Sequence, residues 1–516
     1  MKQPQDAGEV LSSKVLSGNG LKWALVAAID VALLYIVTLM YAQGEIAFAL
    51  VILLLGSIGT WVFTSEKAYN FRYVYPSLLG VILFVVFPLV YTVNIAFTNY
   101  SSTNLLPFER VKQIHLDKSY SSGEEKFALS LYQNNDAYQL ELTNTRNSDE
   151  SYTTETFTMG QLPAAISADV SIRAEGDKLA MRDVIQLRSN LRQLTVMLPG
   201  ESELVMTSLR EFGAMAPLFR EGDNDSLINN QTGDVYHPDN ETGFYVSQDG
   251  ERMAPGFTVY IGWDNFVRVV TDPGIQGPFW KILGWTVTHA ALTVMFTLII
   301  GLLLACLVQW EPLKESGIYR VLLILPYAVP AFISILIFRG LFNQNFGEIN
   351  MVLHNLFGIK PEWFTNEYLA KAMILIVNCW LGYPYMMILT MGLLKAIPED
   401  LYEASAIDGA NPLHNLRHIT VPMIIKPLVP LLIASFAFNF NNFVLINLLT
   451  GGGPNLIDAS TPAGATDILV SYTFRIAFGS YGQDFGLASA IAGLIFIIVG
   501  FIAWANLKAT SKLQEQ

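Results

Sequence analysis

The chain has 516 residues, of which 52% are hydrophobic and only 15% charged, against about 25% charged in an ordinary soluble domain. Its formal net charge of -13 is concentrated: residues 101–276 carry 26 Asp and Glu against 14 Lys and Arg, which leaves the remainder nearly neutral. This pattern argues against nucleic acid as a partner and predicts an acidic, water-facing block set within segments that cross a lipid bilayer.

A bilayer core takes about 20 mostly apolar residues per helix. Eight stretches qualify, near 22–42, 44–64, 73–97, 279–309, 320–339, 371–394, 427–449 and 484–507. The first follows a polar, weakly charged start without a small-residue cleavage site, so it reads as a retained helix. Eight buried helices of a soluble protein would need the same accident eight times. Cations then orient the spans. Lys2, Lys14, Lys22, Lys67, Arg72, Lys314, Arg320, Lys395, Arg417, Lys426, Lys508 and Lys512 fall on one side. The short loops of the other side hold little beyond Lys360 and Arg475, with Arg339 and Lys371 at helix ends. By the positive-inside rule both termini (1–21 and 508–516) are cytoplasmic, which in a Gram-negative cell places the chain in the inner membrane. The segment 98–276 is then periplasmic.

That segment is too long for a structureless connection. It alternates short apolar and polar runs, such as 194–198 and 204–206 around the turn Pro199-Gly200-Glu201-Ser202, and so predicts a mainly β domain. A decorative insert is the competing reading. The expected fold is therefore a polytopic α-helical membrane protein of eight transmembrane helices with an inserted, mainly β periplasmic domain.

Chemistry is not predicted. No G-x-x-x-x-G-K-[ST] run is present to cradle ATP phosphates. Cys306 and Cys379 lie in apolar runs and read as small buried hydrophobes. His414 and His418 stand at i, i+4 but lack the third ligand a metal site needs. No catalytic residue, metal site or cofactor is assigned to this chain.

Residues 321–338, 372–394 and 428–448 contain no Asp, Glu, Lys or Arg. An ion-coupled carrier places ionisable groups at this depth; here the polar groups are amides and hydroxyls among aromatic rings. Asn378, Leu381, Gly382 and Tyr385 repeat at i, i+3, i+4, i+7, and Ser435, Phe438, Asn439 and Asn442 do the same, so each set is expected on one helical face. Pro384 is expected to remove a backbone bond and free a carbonyl. Such faces suit a neutral, hydroxyl-rich solute, and they equally suit hydrogen bonding between packed helices. On the residues alone, helix packing stands slightly ahead. Asn441 points off the second face and is assigned to packing. Asp30 and His289 receive no role.

Between the sixth and seventh spans, residues 395–426 carry Glu403-Ala404-Ser405-Ala406-Ile407-Asp408-Gly409-Ala410, then Ile419 and Val421-Pro422. Strong helix formers behind acidic residues predict a short helix. Gly409 permits a turn that a Cβ would resist, and a second segment, 413–419, is expected to end at Pro422. The result would be a helix–turn–helix shelf.

This pattern resembles the EAA signature, E-A-A-x-x-x-G-x(9)-I-x-L-P, of ABC importer permeases, with Ser405 in place of Ala and Val421 in place of Leu. The resemblance implies the type I permease fold and makes Glu403, Ala404, Ser405, Gly409, Ile419 and Pro422 the residues that couple to an ATPase subunit. Further runs are similar to the large permease subunits of maltose importers: Leu322-Leu323-Ile324-Leu325-Pro326-Tyr327-Ala328-Val329-Pro330, Trp380-Leu381-Gly382-Tyr383-Pro384-Tyr385, and the segments 97–103 and 436–443. In that family the positions matching the two polar faces contact the sugar, which moves the balance toward binding. A second homologous permease, two ATPase subunits carrying ATP and magnesium, a periplasmic maltose-binding protein and maltose or maltodextrin as cargo are implied as partners. Another neutral oligosaccharide is the alternative cargo. A secondary sugar carrier would show buried acids in the central spans. A membrane-anchored sensor would need a larger inner domain than the roughly 30-residue loop allows.

Overall fold

The computed structural model describes residues 18–514 apart from 160–164, 171, 200–202, 311, 458 and 480–482. Lys2 and Lys14, and most of the turn expected after Pro199, lie outside the described residues. The chain divides into two compact units, 1–94 and 95–516.

The first unit holds α1 (Gly18–Ala42), α2 (Ile46–Thr64) and most of α3 (Phe71–Ile95). Its interior polar contacts are few, as apolar surroundings demand. Thr60 Oγ1 donates to Asp30 Oδ1 at 2.6 Å, joining α1 to α2. The Tyr75 hydroxyl donates to the Leu55 carbonyl. Arg72 donates to the Val62 and Ser65 carbonyls, each at 3.1 Å, and so satisfies acceptors at the end of α2.

In the second unit the chain crosses into a β domain. Residues entering and leaving it run side by side: Thr98 bridges Tyr260, and the Val259 N–H donates to Asn99 Oδ1 at 2.8 Å. Asn265, buried, donates to the Ala96 and Thr98 carbonyls at 2.9 and 2.8 Å and locks this stem. The long β1 (Ser119–Asn134) pairs with β2 (Ala137–Asn144) through one half and with β8 (Glu211–Pro217) through the other. The sheet runs on through β3 (Ser151–Thr154), β4 (Ala165–Asp169), β6 (Thr195–Met197) and β7 (Glu203–Ser208), and so closes on itself, with β5 (Asp177–Lys178) at its border. Closure removes the free edges that a flat sheet would present. Inward-facing Phe127, Leu129 and Leu131 alternate along β1 and meet Leu140, Leu142, Val196, Leu204 and Phe212 in one core. The expected strands around 194–198 and 204–206 are β6 and β7, paired at Val196 and Leu204. A second, antiparallel sheet of β9 (Phe219–Glu221), β10 (Leu227–Asn229), β11 (Val235–Asp239), β12 (Phe244–Ser247) and β13 (Arg252–Met253) packs on α4 (Phe108–Leu116) through Val111, Tyr245 and Phe257.

The domain has two cores of its own and meets the helices at this stem and at residues 483–486, where Ser101 bridges Asp484 and the Gly486 N–H donates to the Tyr100 carbonyl at 2.8 Å. An excised segment of residues 97–262 is expected to fold alone and to melt in one cooperative transition followed by circular dichroism. A broad, non-cooperative melt would show that the helices are part of its core.

After the domain come α5 (Pro273–Val308), α6 (Ser316–Ala328), α7 (Ala331–Leu341), α8 (Glu367–Leu394), α9 (Glu399–Ile407), α10 (Pro412–Phe440), α11 (Phe443–Leu449), α12 (Leu469–Phe478) and α13 (Phe485–Gln514). Among the described residues seven helices are long and apolar enough to cross a membrane, and α6 with α7 makes an eighth span if counted together.

Three expectations need correction. The fifth span, 320–339, is not one helix: α6 and α7 meet at 90°. Pro330 bars Val329 from helical geometry, and Val329 sits extended at φ -85°, ψ 131°. The seventh span, 427–449, breaks at Asn441 and Asn442, where side chains compete with the backbone for hydrogen bonds. Asn442 Oδ1 accepts from the Leu445 N–H and caps α11. Finally, the helix after the shelf does not stop at Pro422. A wide turn at Leu416–Thr420 carries the N–H of Val421 to the Leu416 carbonyl, and α10 runs on through a proline that has no N–H to place.

Candidate functional site

The two breaks face one another. Residues 326–332 at the α6–α7 corner, the middle of α8 and the end of α10 with the start of α11 surround a cavity of about 1200 Å³. All eight residues expected on the two polar faces line it: Asn378, Leu381, Gly382 and Tyr385 from α8, and Ser435, Phe438, Asn439 and Asn442 from the α10–α11 region. No lining residue is charged.

The route by which they arrive differs from the helical-face argument for one of them. Asn442 lies beyond the end of α10, so it reaches the cavity as the cap of α11 and not as the i+7 position of a continuous helix. Asn441, set aside as packing, lines the same cavity, while its Nδ2 donates back to the Ala437 carbonyl at 3.4 Å. Thr293 and Thr297 of α5 and the corner residues Tyr327 to Phe332 also line it and were not anticipated. The two prolines at 326 and 330 were the available signal for the corner. Pro384 leaves α8 a single helix from Glu367 to Leu394.

The lining divides into held and unheld groups. Asn378 and Asn439 are 4% and 6% exposed. Asn378 Nδ2 donates to Asn439 Oδ1 at 2.8 Å and to Thr293 Oγ1 at 3.1 Å, while Asn439 Nδ2 donates to the Ser435 carbonyl at 2.8 Å. Packing between helices therefore uses part of their capacity. Phe438, by contrast, is 70% exposed and lines the cavity together with Tyr385 of α8. Gly382 has a spatial role as well. A Cβ there would stand 2.9 Å from Thr297 Cγ2, so the glycine lets α8 approach α5.

The shelf is built from α9, a turn, and the start of α10. Glu399 and Asp400 stand in the first turn of α9, where acidic groups suit the helix N-terminus. Gly409 adopts φ +76°. Asn411 then caps the next helix, its Oδ1 accepting from the His414 N–H at 2.8 Å. The Ser405 hydroxyl donates to Asn415 Oδ1, and Tyr402 and Thr420 share a hydrogen bond of 2.9 Å, so the two arms are braced together. Ile419 packs beside buried Ile397, Ile424 and Leu428. Glu403, Ala404, Gly409 and Pro422 are exposed, and Ser405 is half-buried. Beside them Ile407 and Leu413 are 87% and 73% exposed, an apolar pair among small and acidic residues.

Outside the spans, the connection between α11 and α12 is pinned by Asp467. This fully buried carboxylate accepts from the Gly464 N–H at 2.7 Å, the Ser471 hydroxyl at 2.8 Å and Arg475 Nη1 at 2.7 Å. Arg475 Nη2 reaches Asn455 Oδ1 at 2.7 Å. Burial pushes the Asp467 carboxyl above its ordinary range, while Arg475, Ser471 and the Gly464 N–H pull it down. Sequence reading passed over this cluster: Asp467, Ser471 and Arg475 stand at i, i+4 and i+8, but Asp467 falls just ahead of α12, between the expected spans.

Three family models match the chain. The binding-protein-dependent transport system inner membrane component matches residues 297–508. The maltose transport system permease protein MalF P2 domain matches residues 106–262, and the MalF N-terminal region, transmembrane helices, matches residues 20–67. The maltose/maltodextrin transport system permease protein MalF of Klebsiella aerogenes is 56% identical over 497 residues, covering 95% of this chain and 96% of that protein. Its namesake from Escherichia coli (strain K12) is 53% identical over 499 residues, covering 95% and 97%. Among solved structures, a bacterial ABC transporter involved in the import of the acidic polysaccharide alginate gives a TM-score of 0.41 at 20% identity, over 48% of this chain and 84% of that one.

Proposed function

The chain belongs to the MalF family of binding-protein-dependent permeases, and from that premise we propose that it forms half of the path by which maltose and maltodextrins cross the inner membrane, driven by ATP hydrolysed on separate subunits. The observation that carries this reading is the uncharged cavity between the two broken helices. Amide donors and acceptors suit sugar hydroxyls, and the faces of Phe438 and Tyr385 suit the C–H side of a pyranose. Its volume exceeds the roughly 300–1,000 Å³ of common small-ligand sites, which leaves room for more than one sugar ring. A permease for another neutral oligosaccharide would use the same chemistry, and competition between labelled maltose and unlabelled sugars separates the two.

The shelf is the part that meets the ATPase. Its apolar pair Ile407 and Leu413, the small Ala404 and the acidic Glu403 offer a surface that another protein covers, with a cation placed against Glu403. The ATP and magnesium belong to that partner. A second, homologous permease completes the path. The cations of the short loops support cytoplasmic termini and a periplasmic β domain, whose acidic surface receives the sugar-loaded binding protein.

This reading is tested by purification and by deletion. An ATPase subunit and a second permease should co-elute with the chain from detergent. Replacing residues 110–260 by a short linker should leave the spans inserted, because each carries its own hydrophobic signal, while uptake that depends on the binding protein is lost. Normal uptake in the deleted form would remove the receiving role.

A further inference from the structure

We infer that His289, buried in α5 one turn before Thr293, is a positioning residue that, together with Thr293 and Asn439, holds the Asn378 amide for the sugar. The inference rests on the reading of the cavity as the sugar site.

Asn439 Oδ1 is a group that can only accept. Asn439 donates from Nδ2 to the Ser435 backbone carbonyl at 2.8 Å. Its amide is thereby oriented, and its Oδ1 faces α8. Across from it, at 2.8 Å, Asn378 must present Nδ2 and not Oδ1. The same Nδ2 lies 3.1 Å from Thr293 Oγ1 and 3.3 Å from His289 Nε2. The nitrogen has two hydrogens for these three acceptors, so Asn439 takes one and Thr293 Oγ1 and His289 Nε2 share the other; facing a donor, His289 Nε2 is the bare nitrogen and the ring's proton sits on Nδ1.

That nitrogen has no hydrogen-bond partner, although the residue is fully buried beside Trp285, with ring centroids 5.6 Å apart. A dry, unpaired N–H is unfavourable. A residue needed only to fill space would do better as leucine. What the imidazole supplies is the acceptor at Nε2, which holds Asn378 with its amide nitrogen turned inward. Among the described residues Asn378 Oδ1 takes no hydrogen bond, and Asn378 lines the cavity. The carbonyl is therefore the end offered to a sugar hydroxyl. Asn439 retains a second N–H beside it, so the pair presents an acceptor and a donor to neighbouring hydroxyls.

The test uses the assembled transporter, with labelled maltose retained per complex measured beside the thermal stability of the same preparation. His289→Leu should lower retention about three- to tenfold, the worth of one net hydrogen bond, with little change in melting. His289→Gln, whose amide reaches the Nε2 position, should restore most of the retention. His289→Asn, which reaches only the Nδ1 position, should not. Full retention in His289→Leu overturns the inference, as do equal losses in the Gln and Asn variants; the latter comparison decides the matter if the Leu variant fails to assemble. Asn378→Ala and Asn442→Ala run in parallel. If these also retain maltose fully, the cavity reading falls and takes the inference with it. If they lose maltose while the His289 variants do not, the inference alone falls.

Discussion

Gly409→Val is expected to abolish most ATP-driven maltose uptake while the protein still inserts and binds sugar. The residue sits at φ +76°, where a left-handed backbone costs an ordinary residue about 1–2 kcal/mol and a β-branched one more. A Cβ at this position meets nothing within 4 Å, so the damage comes from the backbone and not from a clash. The turn that aims α9 relaxes, and the braced arms lose their register against the ATPase. Because 1.4 kcal/mol is a factor of ten, the docked population should fall by about five- to thirtyfold. Gly409→Asn, which tolerates this conformation, should keep most of the activity. Uptake into proteoliposomes holding the purified complex distinguishes the two, and equal activity in both variants would refute the role of the turn.

Arg475→Met should be the most destabilising single change in the connection between α11 and α12. It leaves the Asp467 carboxylate buried without its cation, a situation that costs about 3–5 kcal/mol. The pH dependence follows from burial, which already raises this carboxyl. A buried acid whose pKa lies above its unfolded value binds a proton in the fold that the unfolded chain does not hold. The stability of the variant should therefore recover as the pH falls through that window and worsen as it rises. Melting of the detergent-solubilised variant at several acidic pH values and at neutral pH checks this. A loss that does not shrink on acidification would mean that the carboxylate is not the source.

Much of the helical architecture is legible because a bilayer imposes a length and a composition that few other environments demand. What period and hydropathy do not register is a change of direction inside an apolar run. Residues 321–338 remain uncharged and mostly apolar across the corner at Val329 and Pro330, so only the spacing of two prolines marks it. The same blindness affects Asn441 and Asn442. A helical wheel assumes the helix continues, yet it ends at Asn441 and restarts at Asn442, and both residues line the cavity. The shelf shows the reverse error, because a proline read as a stop at Pro422 is absorbed by a widened turn and the helix goes on. Asp467 and His289 were unreadable for another reason. His289 acts through Asn378, 89 residues away, whereas Asp467 has near partners, Gly464, Ser471 and Arg475, in a stretch between the expected spans where no polar face was sought.

The central claim is that the amides of this cavity bind sugar, and Asn442→Ala compared with Asn447→Ala tests it most directly. Asn442 lines the cavity, whereas Asn447, exposed on α11, does not. Maltose uptake kinetics and detergent stability would be measured on the same preparations of each. Removing a partner from a substrate hydroxyl in a dry site costs about 1–3 kcal/mol, so Asn442→Ala should lose at least about fivefold in maltose uptake, with a stability loss no larger than the roughly 0.5–2 kcal/mol of a missing helix cap, and Asn447→Ala should lose nothing. Equal losses in the two variants, or a loss in Asn442→Ala that only tracks lowered stability, would contradict the account.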